Sequence, residues 1–317
     1  MTASKRSSSV PSLDDYPASP RTESRKGGWR SHLAGKNPNE RSVHPASVSV
    51  VTVVRNGVVA LPRALESVRS QDADGVEHVV VDGNSQDGTQ GLLLSNDERI
   101  ALWVSEPDRG ISDAFNKGIA LSRGEIIGLL NSDDWYEAGA IRAVLEKMQE
   151  TGADIVCGNL QYWEGPHRTY LTNSDPEQLS RAMTVGHPTV FVRRDCYRRL
   201  GLFRLDFKLA MDYEWMLRAK TAGARIAVVD RCLANMQGGG VGDRLWRDSQ
   251  REVAKARALH LPGADNAFSY HSYVWRRILM GIIRRALDAT GLGVLRRAYH
   301  RWLSPVRVIS NRNGFKD

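Results

Sequence analysis

Residues 79–89 read VVVDGNSQDGT, three valines followed at once by Asp, Gly, Asn and Ser. The valines are typical of a buried strand, and what comes after them decides the fold. A hairpin would need a second strand straight after the turn, but 86–95 has the spacing of a helix. A calcium loop that began at Asp82 would need Gly sixth and Glu twelfth, where Asp87 and Leu93 stand. The stretch therefore predicts a loop at the carboxyl end of a parallel strand, where open α/β sheets bind ligands.

The sequence on either side repeats this alternation of strand and helix. Continuous apolar runs predict five strands: SVSVVTVV (47–54), EHVVVDG (77–83), IALWVSEP (100–107), GEIIGLLNSDD (124–134) and ADIVCGNL (153–160). Segments with helical spacing lie between them, including 86–95 with Ser85 as its N-cap. This pattern indicates an α/β fold in which a doubly wound, mostly parallel sheet has helices on both faces.

Composition divides the 317-residue chain into three parts. Residues 1–46 are rich in Ser, Pro, Arg and Gly and lack an apolar period, so we expect a disordered N-terminal extension. Residues 47–245 carry the alternating pattern and form the predicted main domain, and residues 246–317 form a helical, basic C-terminal region. Three cysteines without a Cys-x-x-Cys pair favour reduced thiols in a cytosol-like compartment.

The net charge of +8 belongs to residues 271–317 alone. Residues 271–317 hold ten Lys and Arg against two Asp, which leaves residues 1–270 balanced at 34 of each sign, so we expect no nucleic-acid partner. Within this tail, 274–303 has apolar residues at helical spacing and arginine pairs opposite them, but no run of 18 apolar residues. It predicts amphipathic helices at the anionic inner face of the cytoplasmic membrane. A helix packed on the domain with a solvated Arg face is the alternative.

Polar residues follow three of the predicted strands, and in a doubly wound sheet these loops would converge. They are Arg55-Asn56-Gly57, the loop from Asp82 to Gly88, and Asn131-Ser132-Asp133-Asp134. Each also has an ordinary interpretation, as a turn or as a helix cap. Considered together, the three loops suggest a ligand site. An acidic pair at the end of a strand suits Mg²⁺ or Mn²⁺ bound to a diphosphate. An Asp after the second strand suits binding of a base or a ribose. No G-x-G-x-x-G motif or P-loop lysine is present.

Four motifs, in order, resemble the family 2 glycosyltransferases of the GT-A fold. They are VSVVTVVRNG (48–57), VVVDGNSQDGT (79–89), EPDRGISDAFNKGIALSRGEIIGLLNSDDWY (106–136) and GHPTVFVRRDCYRRLGLF with MDYEWMLR (186–218). The resemblance covers residues 47–245, and the chain is most similar to the bacterial branch that builds surface polysaccharides and glycolipids. It implies an inverting hexosyl or N-acetylhexosaminyl transfer from a nucleoside-diphosphate sugar, with UDP as the default, to a hydroxyl of a glycan or lipid-linked acceptor.

The resemblance also implies roles for particular residues. Binding of the nucleotide-sugar donor is implied for a set in the strand-end loops and the helix that follows: Thr52, Asn56, Asp82, Asp108, Asn116 and Lys117. Asp133 and Asp134 would hold a divalent metal, Mg²⁺ or Mn²⁺. Asp212 would be the general base that activates the acceptor hydroxyl. His187 would face the diphosphate, metal or acceptor, unless its role is purely structural.

The sequence departs from the family pattern at two positions. Asn131 stands where many members have the first Asp of the metal motif, and Met211 precedes the catalytic Asp where Glu is common. The loop GGGV (238–241) resembles the family's glycine-rich loop, with Gly242 in place of a frequent Ser. It can be interpreted either as a mobile lid or as an ordinary surface loop. Two other functions also stay open. These are a sugar-1-phosphate nucleotidyltransferase and a nucleotide-sugar binding protein without catalysis.

Overall fold

Strands and helices alternate along the chain in the computed structural model, which describes residues 10–18, 23–32 and 47–263 and the backbone of 308–309. The strands are β1 Arg25–Gly27, β2 Val48–Val54, β3 Val76–Asp82, β4 Leu102–Ser105, β5 Ile126–Asn131, β6 Trp135–Tyr136, β7 Ile155–Glu164, β8 His167–Thr172, β9 Phe191–Arg193, β10 Ile226–Gln237 and β11 Val308–Ile309. The helices are α1 Trp29–His32, α2 Leu61–Arg69, α3 Thr89–Ser95, α4 Ile111–Leu121, α5 Ala140–Thr151, α6 Arg194–Leu200, α7 Met211–Thr221, α8 Val241–Arg244 and α9 Trp246–His260. Short 3-10 helices span Leu13–Asp15, Pro176–Ser180 and His187–Thr189.

Four parallel strands in the order β4-β3-β2-β5 form the centre of the sheet. Every residue of β2 is buried, because successive side chains point to opposite faces and both faces are covered. Val51 and Val53 share an apolar core with α4 and α7, whereas Val50 shares one with α2 and α5. The predicted α/β fold, with a mostly parallel sheet between two helical layers, is confirmed.

The remaining half of the sheet is mixed rather than parallel. β9 is antiparallel to both β5 and β7, so it separates the predicted fifth strand from the parallel centre. β10 runs parallel to β7, and β6 closes that edge in the antiparallel direction. The full order is β1-β4-β3-β2-β5-β9-β7-β10-β6, with β8 and β11 continuing from β7. The antiparallel place of β9 between β5 and β7 was not predicted, because periodicity does not reveal which strands pair.

The structure differs from the expected disorder of residues 1–46 in the two stretches that it describes. β1 pairs antiparallel with β4 and covers that edge of the sheet. Tyr16 is buried, and its hydroxyl donates to Asp113 Oδ1 over 2.8 Å. Arg30 makes a buried ion pair with Glu77 at 3.0 Å. These anchors are single residues in a polar background, so no apolar period marked them in the sequence.

Helix α9 joins the region after residue 245 to the main domain. It packs on α7, and its Ala256 is fully buried. Glu252 Oε2 accepts the backbone N–H groups of Leu209 and Ala210, the two residues before α7, over 2.8 and 2.9 Å. The predicted domain boundary between residues 245 and 246 therefore does not separate two units, because α9 packs on the main domain. The amphipathic helices predicted for 274–303 lie outside the described residues, within which no helix is long and apolar enough to cross a bilayer.

Candidate active site

The loops after β2 and β3 are fastened to each other by hydrogen bonds. The N–H of Asn56 donates to Ser85 Oγ over 2.7 Å, and Asn56 Oδ1 accepts the N–H of Gln86 over 2.9 Å. Asp87 Oδ2 accepts the N–H of Val58 over 3.0 Å. Asn56 adopts a left-handed φ of 52°, which asparagine tolerates better than most residues. The two loops therefore form one continuous rim at the carboxyl ends of the strands, and the predicted site residue Asn56 lies exposed on it.

Asp82 ends β3 and is fully buried beneath this rim. Its Oδ2 accepts the hydroxyl of Ser105 over 2.6 Å and the N–H of Ser85 over 3.1 Å, and its Oδ1 accepts the hydroxyl of Ser85. Ser85 is therefore bound to Asp82 instead of capping a helix, and α3 begins only at Thr89. Because both oxygens of Asp82 serve the protein's own loops, its contact with a nucleotide base stays a prediction.

Asp108 brings the loop after β4 to the same place. A Cβ atom at Gly83 would overlap Asp108 Oδ2 and would lie 3.4 Å from Arg55 Cδ, so three loops meet around this glycine. Asp108 Oδ1 accepts the N–H of Gly110 over 2.8 Å, which holds the turn. Asp108 is half-buried and Arg55 is exposed. A side chain at position 83 would therefore displace the carboxylate of Asp108 from this meeting point.

Thr52 does not reach this rim. It shares a face of β2 with Val50 and Val54, which pack in the core beneath α2. It is fully buried, and its Oγ1 is hydrogen-bonded to His78 Nε2 at 2.8 Å. Burial lowers the pKa of His78 to about 3, so the ring is neutral at physiological pH. The structure therefore corrects the predicted role of Thr52 in the donor pocket, because a ligand would have to enter the core to touch it.

Asn116 and Lys117 also lie inside the protein, because α4 is buried along nearly its whole length. The Asn116 side chain accepts the N–H of Phe203 over 2.9 Å and donates to the carbonyl oxygen of Phe203 over 2.8 Å. The Lys117 ammonium pairs with Glu106 at 2.7 Å and donates to the carbonyl oxygen of Pro107 over 2.8 Å. Both residues hold neighbouring segments in place, so the predicted contact of either with the donor is corrected to a structural role.

The acidic pair after β5 has one open and one buried carboxylate. Asp133 is exposed, and no other residue in the described part of the chain donates a hydrogen bond to it. Asp134 is buried, with Oδ1 accepting the N–H of Gln237 over 3.2 Å and Oδ2 accepting Asn131 Nδ2 over 3.0 Å. Burial, and next the charge of Asp133, raise the pKa of Asp134 well above its usual range. The protein thus holds Asp134, while Asp133 is open to a ligand.

The surroundings of the acidic pair fit a cation. Asn131 Oδ1 is buried and has no hydrogen-bond partner among the described residues, and partial burial of its carboxyl group raises the pKa of Asp133. Uncompensated oxygen atoms of this kind are what a hard divalent ion binds. Residues 10–18, 23–32 and 47–263 hold no cluster of three His, Cys, Asp or Glu that could bind a metal, so water or ligand oxygens would complete the shell. A Cβ at Gly57 would lie 3.2 Å from Ser132 Oγ, so the loop after β2 borders this place, as predicted.

Asp212 lies in the first turn of α7 and is half-buried. Its position is marked by Tyr162 on β7, whose pKa is raised most by burial, then by Tyr170, and then by the carboxylates of Asp134, Asp243 and Asp212. These three aspartates come from the end of β5, from α8 and from α7, and the charges of all three act on one phenol. Asp212 and the acidic pair therefore lie within electrostatic range of the same side chain.

His187 lies within electrostatic range of Asp212. Its ring stands edge-on to Phe115, with centroids 5.4 Å apart. Burial lowers the pKa of His187, and the carboxylate of Asp212 opposes that shift. Its Nε2 is buried and has no hydrogen-bond partner within the described ranges. A neutral imidazole next to a carboxylate can accept or donate one hydrogen bond to a bound ligand.

The candidate site therefore combines three parts at the carboxyl edge of the sheet. The loops after β2, β3 and β4 form a rim on one side, the acidic pair lies at the end of β5, and Asp212 with His187 lies on the side of α7. Such an arrangement can hold a phosphate group through a cation and can accept a proton from a hydroxyl group.

The family model described as Glycosyl transferase family 2 matches residues 49–214, more than half of the chain. The chain belongs to glycosyltransferase family 2. An uncharacterized glycosyltransferase of Mycobacterium tuberculosis is 33% identical to it over 184 residues, which make up 55% of this chain and 68% of that protein. The succinoglycan biosynthesis protein ExoO of Rhizobium meliloti is 36% identical over 201 residues, 57% of this chain and 58% of that protein. The predicted membership of the family is confirmed.

Solved structures share the fold of this glycosyltransferase. TarS 1–349 of S. aureus in complex with UDP-GlcNAc has a TM-score of 0.56 at 18% identity, covering 70% of this chain and 69% of that chain. Mannosyltransferase PcManGT of Pyrobaculum calidifontis in complex with GDP-Man and Mn²⁺ has a TM-score of 0.57 at 18% identity, covering 86% and 88%. At such low identity the likeness shows the fold alone, and it confirms the predicted GT-A architecture.

Three residues near the acidic pair of this glycosyltransferase were missed in the sequence. Gln237 holds Asp134 through its backbone, and Tyr162 and Asp243, which lie outside the four motifs, are in electrostatic range of each other, with Asp134 acting on Tyr162 as well. The alternation in NLQYWE indicates that either Tyr162 or Trp163 points to a given face, but it does not say which face borders the site. Only the pairing of β7 with β10 settles that.

Proposed function

We propose that this glycosyltransferase moves a sugar, with inversion at its anomeric carbon, from a nucleoside-diphosphate sugar to a hydroxyl of a glycan or lipid-linked acceptor in cell-surface glycan synthesis. UDP is the default nucleotide. The observation that supports this most is that the carboxyl end of β5 carries the exposed carboxylate of Asp133 and the unpartnered buried oxygen of Asn131, next to the loop after β2. The name of ExoO and the nucleotide sugars bound to TarS and PcManGT agree with the proposal.

Donor binding falls to the rim formed by the loops after β2, β3 and β4. Asn56 and Asp108 are the predicted donor residues that lie on it, and Arg55 adds an exposed cation beside Gly83. A guanidinium suits the phosphates of a nucleotide, because it presents several N–H donors in a fixed plane. Asp82 is kept as the base-binding residue in this proposal, which requires Ser85 or Ser105 to release one of its bonds.

Asp212 is the general base in this proposal. Its carboxylate takes the proton of the acceptor hydroxyl while the hydroxyl oxygen forms a bond to the anomeric carbon. The bond from that carbon to the phosphate oxygen breaks, and its electron pair leaves with the nucleoside diphosphate. Attack and departure occur on opposite faces of the sugar, so one base is enough and the configuration inverts. His187 orients the acceptor through Nε2, which has no partner within the described residues.

Asp133 is the residue proposed to hold a divalent cation, Mg²⁺ or Mn²⁺. When bound there, the ion would neutralise charge on the departing diphosphate. Asp134, which we predicted as a second ligand, already accepts one hydrogen bond on each oxygen from Gln237 and Asn131. In this proposal Asp134 therefore positions the segment that carries Asp133.

The proposal is tested by nucleotide release from UDP-glucose, UDP-galactose, UDP-N-acetylglucosamine and GDP-mannose with Mn²⁺ or Mg²⁺. Asp212→Asn should bind the donor as the wild type does and lose roughly two to four orders of magnitude in turnover, the usual span for a general base. Asp195→Asn is the matched control, because Asp195 is likewise the second residue of a helix, α6, and pairs with Arg199. Its turnover should be unchanged.

Each result bears on a separate part of the proposal. Turnover of Asp212→Asn near that of the wild type would remove Asp212 as the base. Full activity of Asp133→Ala, or of the wild type in excess EDTA, would overturn the cation. Absence of nucleotide release from every donor, with and without acceptor, would refute the reaction itself.

From the sequence alone, we also propose that residues 274–303 bind the inner face of the cytoplasmic membrane. Lipid-linked acceptors are presented at this surface. Neutralising substitutions test it better than a deletion, because β11 pairs with β8 and belongs to the sheet. Four arginines in the segment can be changed to Gln: Arg276, Arg277, Arg284 and Arg285. Binding to vesicles rich in phosphatidylglycerol should fall strongly. Undiminished binding would refute the role of this segment.

A further inference from the structure

Four arginines lie at the amino edge of the sheet, where the parallel strands β2, β3 and β5 begin. We call them the arginine cluster: Arg30 in α1, Arg123 between α4 and β5, and Arg194 and Arg198 in α6. Helix α6 belongs to this edge because β9, which leads directly into it, runs antiparallel to β5. Glu77, the second residue of β3, is buried at the same edge. The candidate active site lies at the opposite ends of these strands, so the cluster is a separate feature.

Printed contacts of one carboxylate and one carbonyl group fasten three segments of the cluster together. Glu77 Oε2 accepts Arg30 Nη1 over 3.0 Å, and Glu77 Oε1 accepts the N–H of Arg123 over 2.5 Å. The N–H of Arg194 donates to the carbonyl oxygen of Glu125, two residues beyond Arg123, over 2.7 Å. The N-terminal segment, the loop before β5 and the start of α6 therefore meet at one place.

Positive charge predominates where these segments meet. Burial lowers the pKa of the Arg30 guanidinium, and the carboxylate of Glu77 opposes this shift. The charges of Arg123 and Arg194 lower the pKa of Arg30 further. Burial also lowers the pKa of Arg194, and the charge of Arg198 is the next cause. Each of the four guanidinium groups is therefore within electrostatic range of at least one other.

Two N–H donors of the cluster are buried without an acceptor. The Arg30 side chain is only 6% exposed, and its Nη2 donates to the carbonyl oxygen of Leu121 over 3.1 Å, but its Nε has no hydrogen-bond partner in the ranges that the structure describes. The Nε of Arg194 is likewise buried and has no partner there. Burial of such a donor without an acceptor is unfavourable, and more so when the group is charged. An ordinary solvated basic surface would keep these donors in water, so the cluster lacks acceptor oxygens.

Neighbouring carboxylates do not supply these oxygens. Asp195, also in α6, pairs with Arg199 at 3.1 Å. Glu125 is exposed and makes no ion pair with any residue of the described part of the chain. Arg123 and Arg198 are exposed as well, so an anion can reach the cluster from solvent.

We propose that the arginine cluster binds a phosphate group. Four guanidinium groups against the carboxylate of Glu77 leave an excess of three positive charges, which suits an anion that carries close to two negative charges at pH 7. The paired N–H donors of a guanidinium also match phosphate oxygens in geometry. A soluble phosphate ester and a phospholipid headgroup share this chemistry. The site does not depend on the proposed reaction, because it lies at the other edge of the sheet.

Titration of the full chain with inorganic phosphate, followed by ³¹P NMR, tests the site. EDTA is present, and chloride keeps the ionic strength constant. We expect saturable binding to the wild type and about tenfold weaker affinity in Arg194→Gln, because hydrogen bonds between charged groups are lost. The double variant Arg123→Gln/Arg198→Gln changes two exposed residues, should also bind more weakly, and provides the test if Arg194→Gln does not fold. Arg142→Gln is the matched control, because Arg142 is an exposed arginine of α5 that pairs with Asp72, and its affinity should equal that of the wild type.

Flotation with vesicles distinguishes the two sources of the phosphate group. The double variant and the wild type are compared on vesicles of phosphatidylglycerol and of phosphatidylcholine, with residues 274–303 unchanged in both proteins. Weaker binding of the double variant to phosphatidylglycerol alone would assign the site to a lipid headgroup. Equal vesicle binding, together with phosphate affinity that the substitutions reduce, would assign it to a soluble phosphate ester.

Two results would overturn the site. One is phosphate affinity in Arg194→Gln and in the double variant equal to that of the wild type, with equal vesicle binding. The other is the absence of saturable phosphate binding to the wild type, again with vesicle binding that the double variant does not change. Nucleotide release is measured separately and should be the same in the double variant as in the wild type.

Discussion

The burial of His78 makes the stability of the protein depend on pH by a calculable amount. His78 is bonded to Thr52 in the core, and burial lowers its pKa to about 3, whereas a solvated histidine in the unfolded chain titrates near pH 6.5. Below pH 6.5 the unfolded chain therefore binds a proton that the folded protein does not. The stability contributed by His78 is complete above pH 6.5 and is lost as the pH falls. At pH 5 the loss is about 2 kcal/mol, from 1.5 pH units at roughly 1.4 kcal/mol each.

Urea unfolding at pH 7.5 and pH 5.0 measures this loss. The comparison is between the wild type and His78→Gln, which removes the titrating ring and keeps a group that can bond to Thr52. Other titrating groups contribute equally to both proteins, so the wild type should lose about 2 kcal/mol more than the variant. An equal loss would mean that His78 is protonated or solvated in the folded protein, and the interior placement of Thr52 would be refuted. An NMR titration of the His78 ring in the wild type gives the same answer if the variant does not fold.

Two smaller substitutions test the donor rim and the N-terminal segment. Gly83→Ala places a methyl group against Asp108 Oδ2, so the donor KM in initial-rate assays should rise about tenfold, whereas Gly91→Ala, which has open space at its Cβ position, should leave it unchanged. Equal KM values for both variants would contradict the close approach. Tyr16→Phe removes a hydrogen bond to the carboxylate of Asp113, so the free energy of unfolding in urea should fall by about 1–3 kcal/mol. An undiminished value would contradict the buried contact.

The centre of the fold could be predicted because each strand there is a continuous apolar run and each connection is an amphipathic helix. The meeting of the loops at Asn56, Asp82 and Asp133 followed from the same pattern, since parallel strands end at one edge of a sheet. The antiparallel β9 could not be predicted in this way, because its neighbours β5 and β7 are chosen by packing over long distances in sequence. Likewise, a single aromatic residue such as Tyr16 forms no periodic pattern, so the sequence does not indicate that its ring is buried.

The site residues that were predicted wrongly lie close to the site along the chain, but their side chains point into the protein. Thr52 is near the end of β2, but the alternation of the strand turns it into the core. Asn116 and Lys117 follow a conspicuous loop, but α4 is enclosed by segments distant in sequence, among them the backbone of Phe203. Tyr162 was missed because the sequence does not reveal how β7 pairs with β10. Bulges interrupt the register of these two strands.

The strand β1 has a practical consequence for how this enzyme is produced. A recombinant protein trimmed to the family match would begin near residue 49 and would leave the outer edge of β4 bare. The backbone groups of an uncovered edge strand recruit other chains, so such a shortened protein should self-associate and precipitate during purification. Retaining the first 32 residues shields that edge, and preparations intended for crystallisation or kinetics should include them.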